Sequence, residues 1–416
     1  MDDCLSLNKC GFQSFAANCY INSKIEMMKL EFGKKKCHQL HIGKESPFCP
    51  SLQVHGEDID LVEEDKYLGD VICNTIQTNG SNQKNVNKRK GTGMGVNTQI
   101  MRILLSVSLG HFYFEMSVIL RESLLINSVL FNSECWYAVT KAQINELAQV
   151  DISLARRVLS ASPSVPVESL FLELGLTPLG HIIKGRRVMF LHYLVSLKEE
   201  EMLSKFFLAQ WHNPVNHDWT VTVQKDLVDL GLNFDLSQIK KFKKEKFAEI
   251  VKKAIKAAAF SELMTRKQSH SKMKDLQYSE LSMQNYLKSD LISSDKAKSL
   301  YKFRVRDVNV KNNRKTSNSE LNCPLHFSSG EKFLDDQHHL LHCSELVDHP
   351  APVSNGKCCD YQDIFGNDVP KLLPVINLLD KSLKIREEKL KEVSQQCQNV
   401  TIRDGEIRFF CALNQP

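Results

Sequence analysis

The sequence predicts a mainly α-helical protein with a small mixed α/β segment at its N-terminus. Three observations lead there. From about Asn97 to Leu208, apolar residues recur at helical spacing almost without interruption. Glycine and proline are sparse, 18 and 12 in 416 residues, which is too few turn formers for a protein of many short strands. Short apolar runs bounded by turn residues are confined to roughly the first 75 positions. With 42% hydrophobic residues the chain can bury real cores, and its length suits two to three domains.

Taken in order, Asp2 and Asp3 are adjacent carboxylates which, read alone, suit a solvated loop. "NCYINSKIEMMKLEF" repeats Ile21, Ile25, Met28 and Leu30 at roughly the helical period. Gly33 ends this helix, with Lys34, Lys35 and Lys36 at its C-terminus, where cations suit the helix dipole. "CHQLHIG" and "KYLGDVIC" read as short strands. Residues 79–96 are polar and contain glycine and lysine, which predicts a linker. Within them "GTGMG" lacks the spacing and the preceding strand of a dinucleotide site, and reads as a flexible lead-in.

The helical block follows. "NTQIMRILLSV", "FYFEMSVILRESLLINSVLF", "TKAQINELAQVDISLARRVL" and "LGHIIKGRRVMFLHYLVSL" each carry an apolar stripe. Thr140 and Gln143 have the spacing of an N-terminal capping box, and "SPSVPVESLFLELGLTPLG" reads as a proline-marked turn between two helices. "SQIKKFKKEKFAEIVKKAIKAAAF" reads as one amphipathic helix with eight lysines from Lys240 to Lys256. Its charged side is either a solvated face or a surface for phosphates. "YKFRVRDVNVKNNRK" holds six basic residues, one acid and two aromatics, a mixture that suits a nucleic-acid surface. "LPVINLLDKSLKIREEKLKEV" closes the series as an amphipathic helix with Ile376, Leu379, Leu383 and Leu390 on one face. Internal repeats and low-complexity blocks are absent from the sequence.

Charge and cysteine usage exclude several classes. A net charge of +5 is mild, and its clustering matters more than its size. Thirteen cysteines without framework spacing, and no charged start followed by an apolar run, predict a reducing compartment, nucleus or cytoplasm, and no secretion. The most apolar region, Ile100 to Val139, is interrupted by Arg102, Glu115, Arg121, Glu122 and Glu134, so no membrane span is expected. No nucleophile elbow or Cys-His pair points to a hydrolase.

The strongest chemical signal is "CPLHFSSGEKFLDDQHHLLHC". Cys323 and His326 are separated by two residues, His339 and Cys343 by three, and twelve lie between the pairs. Two short turns of this kind can each present two ligands, and zinc takes four thiolate or imidazole donors in a tetrahedron. His338 and His342 are rivals for the third position, and His339 is preferred; a His-rich loop with two unrelated cysteines is the plainer account. With four protein ligands the ion would be structural.

In their order, these strings resemble the C-terminal part of a non-LTR retrotransposon reverse transcriptase. "MDDCLSLNKCG" is similar to the end of the polymerase hairpin bearing paired aspartates, here Asp2 and Asp3. "NCYINSKIEMMKLEFGKKKCHQLHIGK" resembles the next palm element, a helix and a lysine-bearing strand, and "DKYLGDVI" the primer grip. The helical block is similar to the thumb, and "CPLH…HHLLHC" to the family's Cys/His knuckle, with His326 where a cysteine is usual. The resemblance implies a partial palm over 1–78, a linker over 79–96 and a helical thumb and extension over 97–235. A basic connector over 236–318, a zinc knuckle over 319–346 and a helical tail over 347–416 complete it.

Function follows from the same resemblance. RNA or DNA is the implied partner, contacted by Lys36, by Tyr67, Leu68 and Gly69, and by Lys240, Lys241, Lys243, Lys244, Arg304 and Arg306. Nucleotidyl transfer needs two divalent metals held by carboxylates from separate strands, so the family implies Mg²⁺ at Asp2 and Asp3. The opposing aspartate and the nucleotide pocket belong upstream of residue 1 in such a protein. The pair is therefore expected to bind no Mg²⁺ productively, and the chain to have no polymerase activity by itself. Two alternatives are the C-terminal half of an active RNA-directed DNA polymerase in a longer frame, and a helical protein-interaction module. The residues after Cys343 show no nuclease arrangement.

Overall fold

The computed structural model describes residues 11–28, 37–41, 51–54, 56–67, 69–73, 78–136, 138–215, 218–308, 323–326, 334–335, 337–343, 346 and 364–399. The described chain is mainly helical with a few short strands. After helix α1 (Gly11–Met28) come six strands: β1 (His38–Leu40), β2 (Gln53–Val54), β3 (Glu57–Asp58), β4 (Asp60–Val62), β5 (Glu64–Tyr67) and β6 (Asp70–Cys73). They pair two by two, β1 parallel to β4, β2 antiparallel to β3, and β5 antiparallel to β6. Asn22 on α1 donates to the Gln53 carbonyl at 2.6 Å, and Asn18 accepts from the Gln53 amide at 3.2 Å, which pins the helix to β2. "KYLGDVIC" was expected as one strand; it is the tight end of a hairpin, with Tyr67 opposite Asp70. Gly69, at φ +91°, supplies the left-handed backbone that reverses the chain there.

The expected linker over 79–96 lies instead inside a long helix, α2 (Thr78–Ser106). Its buried positions are Val86, Arg89, Gly93, Asn97, Ile100, Met101 and Leu104, which recur at three- and four-residue intervals. Glycine lowers helix stability by about 0.5–1 kcal/mol relative to alanine, so packing has to supply the compensation. A Cβ on Gly93 would lie 2.6 Å from Val129 Cγ2 and 2.9 Å from Val150 Cγ1, so the middle glycine of "GTGMG" is where this helix meets its neighbours, while Gly91 and Gly95 face open space. Asn97 completes the contact by donating to the Val150 carbonyl at 2.7 Å.

Those neighbours are α3 (Tyr113–Leu120), a π-turn (Arg121–Leu125), α4 (Ile126–Val129) and α5 (Lys141–Leu159). Thr140 caps α5 as expected: its hydroxyl accepts from the Gln143 amide at 3.2 Å, and the Gln143 side chain accepts from the Thr140 amide at 3.0 Å. The expected turn over 162–180 contains a further helix, α6 (Val167–Leu174), whose eight residues include seven buried ones, Glu168 to Leu174. Pro166 precedes α6 and Pro178 precedes α7 (Leu179–Ser196), so the prolines mark helix starts rather than one long turn.

Gly175 ends α6 at φ +67°, its amide donating to the Phe171 carbonyl. A Cβ there would sit 2.3 Å from the Met283 nitrogen and 2.5 Å from the Ser282 carbonyl carbon, where Leu174 bridges to Met283. Neither backbone atom can rotate away. Gly175→Ala is therefore expected to lower stability by about 2–3 kcal/mol from left-handed strain and overpacking together, read as a lower urea midpoint at unchanged m-value.

Helices α8 (Met202–His212), α9 (Trp219–Asp229), α10 (Leu236–Lys241) and α11 (Lys244–Lys267) come next. The lysine-rich stretch read as one helix is thus two. The break falls at Phe242, extended at ψ 136°, whose carbonyl accepts from His192 Nε2 at 2.9 Å. It turns Phe242 toward Phe234 and Phe247, with ring centroids 5.3 and 5.8 Å away, and burial of that aromatic group outweighs helix continuity. Short helix α12 (Asn285–Lys288), α13 (Ser294–Arg304), α14 (Gln337–His342) and α15 (Val369–Asn399) complete the chain. On α15, Ile376 and Leu379 are buried and Leu383 and Leu390 partly so, the face read from the sequence.

The core divides in two. One cluster runs from Val86 to Leu379 and joins α2–α6, the start of α7 and the end of α11 to α12–α15; the other joins the rest of α7 to α8–α10 and the start of α11, between Val188 and Val251. Among the described residues, no helix is long and apolar enough to cross a membrane.

Candidate metal centre and basic faces

Cys323 precedes a single 3-10 turn, Pro324–His326, and His339 and Cys343 lie on and just past α14. One turn of helix separates the last two, which sets them on one face. The four ligand atoms of Cys323, His326, His339 and Cys343 lie within 4.8 Å of one another, and all but His339 are buried. Cys343 Sγ is 3.3 Å from His326 Nε2, and the two imidazole rings lie 5.2 Å apart. A group with this composition and spacing could hold a metal ion. The side chains of His338 and His342 lie outside the described residues.

Electrostatics favour a thiolate at Cys323, whose pKa is pulled down to about 4. The largest cause is the hydrogen bond from the Cys343 thiol; the Leu325 amide, His339 and the Arg386 charge add to it, against the penalty of burial. A thiolate is the form that binds metals. Arg386 comes from α15, points Nη1 at Cys323 Sγ from 3.9 Å and pairs through Nη2 with Asp335 at 2.7 Å. Both partners of that ion pair are buried. Outer groups of this kind orient ligands and tune the site. Sequence reasoning missed Asp335 and Arg386, although Arg386 stands on the inner face of α15 at helical spacing from Leu379 and Leu383.

The residues expected to contact nucleic acid fare differently. Asp2, Asp3, Lys36 and Leu68 lie outside the described residues, as does the Tyr67 side chain. Gly69 sits in the hairpin turn, where its carbonyl accepts from Lys88 at 2.6 Å. Lys240, Lys241, Lys243 and Lys244 are exposed around the α10–α11 break. Arg306 is paired with Asp275 at 3.0 Å and only partly exposed.

Arg304 is a correction. It has no exposed surface, so it cannot reach a phosphate. Its Nε donates to Glu173 at 3.2 Å and its Nη1 to the carbonyls of Ile364 and Gly366 at 2.9 and 2.7 Å. Tyr278 and Tyr286 each donate to Glu173 at 2.9 Å, and the Tyr286 ring lies 5.2 Å below the guanidinium. Burial, followed by the Glu173 carboxylate, drives both phenol pKa values well above the usual range, so they remain donors. Burial works against the Arg304 charge, yet the Glu173 carboxylate keeps its pKa above the ordinary value. Glu173 is therefore the hub that joins α6 to α12 and α13, and Arg304 extends the network to the segment leading to α15. Its sequence signal was a lone acid in the apolar run "LFLELGL".

A second basic surface lies between α7 and α11. There Phe190 and Tyr193 stack at 5.8 Å with an interplanar angle of 19°, beside Arg186, Lys244, Lys252 and Lys256. Comparison with protein-family models, curated proteins and solved structures finds no match to this chain.

Proposed function

We propose that this chain is a nucleic-acid-binding protein of the non-LTR reverse-transcriptase type, with its C-terminal part held by a structural zinc ion. The observation that carries the reading is the set of unneutralised lysines around the α10–α11 break. Lys246 and Lys253 pair with Glu249 at 3.7 and 2.8 Å, as expected of a solvated helix face. Lys240, Lys241, Lys243, Lys244, Lys252 and Lys256 are exposed and form no salt bridge among the described residues. Concentrated, unpaired cations are what a phosphate backbone neutralises, with release of its counterions.

Zinc fits the Cys/His group on chemical grounds. Tetrahedral bonds to thiolate and imidazole put neighbouring donors about 3.3–3.8 Å apart, and the Cys343–His326 pair is at 3.3 Å. Four protein donors leave no position for water, so the ion would organise structure rather than catalyse. The reading includes no polymerase activity for this chain by itself and assigns no Mg²⁺ chemistry to Asp2 and Asp3. The β5–β6 hairpin, turning after Tyr67, supports the likeness to a primer grip.

Filter binding with structured RNA and duplex DNA over a salt series tests the reading. With four phosphates neutralised, log K is expected to fall with log salt at a slope of about −4. Replacing Lys240, Lys241, Lys243 and Lys244 together by Gln should flatten that slope and weaken both probes alike. Absence of retention at low salt would sink the proposal. Metal-dependent primer extension by the chain would overturn its inactive part.

A further inference from the structure

The surface between α7 and α11 is a groove of about 800 Å³, within the size range of ligand clefts. The helices pack tightly at Gly185, where a Cβ would lie 2.1 Å from Ile255 Cδ1. Along the groove the floor is apolar, formed by Met189 on α7 and by Ala248, Val251 and Ile255 on α11. The α11 wall carries Lys244, Lys252 and Lys256. Their spacing of eight and four residues keeps them on one face, about 12 and 6 Å apart along the axis. The segment from Arg121 to Glu134 also lines the groove, with Glu122 and Glu134; Arg121 is neutralised by Asp151 at 2.6 Å, and Arg186 of α7 lies beside Glu134 and donates to Asn127 at 2.9 Å.

An asymmetric groove of this kind orients its occupant. Phosphates are drawn to the lysine-bearing side and away from Glu122, which pairs with no cation among the described lining residues. The Phe190–Tyr193 stack lines the same groove. Phe190 is itself braced edge-on by Trp219 at 5.6 Å, and Tyr193 is 51% exposed. A braced aromatic pair with an open ring face offers a platform on which an unpaired base can stack. Bases inside a duplex are already stacked and cannot reach it.

We infer that the groove between α7 and α11 binds single-stranded nucleic acid, its backbone along Lys244, Lys252 and Lys256 and a base on Tyr193. The inference rests on the nucleic-acid reading above and narrows it to one strand and one site.

The test is fluorescence anisotropy of the full chain with a labelled 15-nucleotide oligothymidine and a duplex of equal length. Tyr193→Ala should weaken the single strand about tenfold and leave the duplex unchanged. Tyr193→Phe, which keeps the ring, should bind like the parent. Lys252→Gln with Lys256→Gln should weaken both probes and reduce the salt slope by about 2. Thermal melting of each variant separates lost binding from lost fold. Parental single-strand affinity in a folded Tyr193→Ala protein would overturn the inference while leaving the broader reading intact. If neither probe binds the parent, the broader reading falls and the inference with it. If an acidic amphipathic peptide binds in a Tyr193-dependent way and oligothymidine does not, the groove is a protein-docking site and the inference is wrong.

Discussion

Replacing Arg304 by methionine is expected to destabilise the protein by about 3–5 kcal/mol, the usual consequence of leaving one member of a buried ion pair uncompensated. Glu173 would keep its two tyrosine donors but lose the cation it pairs with, in a position with no exposed surface. The carbonyls of Ile364 and Gly366 would lose their donor as well. Against a typical total of about 5–15 kcal/mol, such a loss leaves little margin. Urea unfolding followed by circular dichroism measures it. Glu173→Gln combined with Arg304→Met should recover part of the loss, because a neutral amide no longer needs a cation. Nucleic-acid binding by the remaining folded protein should stay within about twofold of the parent, since Arg304 faces no solvent; a selective loss of binding at full stability would contradict the structure.

Metal removal should have the second large effect. Purified protein is expected to carry one zinc, and free zinc at 1,000 times its Kd would contribute about 4.1 kcal/mol of stability by mass action. A chelator should speed hydrogen exchange at Leu340 to Cys343 and around Leu383 to Arg386, while α5 and α7 stay protected. Arg386 ties α15 to the Cys/His group, its guanidinium set between Cys323 and Asp335. Arg386→Met should accordingly weaken metal binding about 10–100-fold without removing a ligand. Substoichiometric zinc that Cys323→Ser leaves unchanged would refute the metal assignment.

What the sequence revealed depended on how far apart the interacting residues lie. The Thr140 cap was legible because both its members are three residues apart. The Cys/His group was legible for the same reason, as two local pairs. Its support was not: Arg386 meets Asp335 across 51 residues. Arg304 misled because its neighbours Lys302 and Arg306 suggest a surface, while its partner Glu173 lies 131 residues away. The first part of α2 was read as a linker because its inner face there carries Arg89 and Gly93, which no apolar periodicity detects. Gly93 makes room for Val129 and Val150, and Asn97 bonds the Val150 carbonyl, so both are explained only by the partner helices. The α7–α11 groove was invisible for a similar reason, since its walls are joined by tertiary packing alone.

The buried partnership of Glu173 and Arg304 also constrains how this sequence can drift. A change at either position alone passes through a chain carrying an unanswered interior charge, an intermediate that selection for folding would remove. Descendants should therefore keep both residues or exchange both together for neutral ones. Lys240, Lys241 and Lys243 carry no such linkage and can change one at a time. Sequences diverging from this one should show coupled substitution at 173 and 304 beside independent turnover at the lysines, a pattern that ancestry alone does not impose.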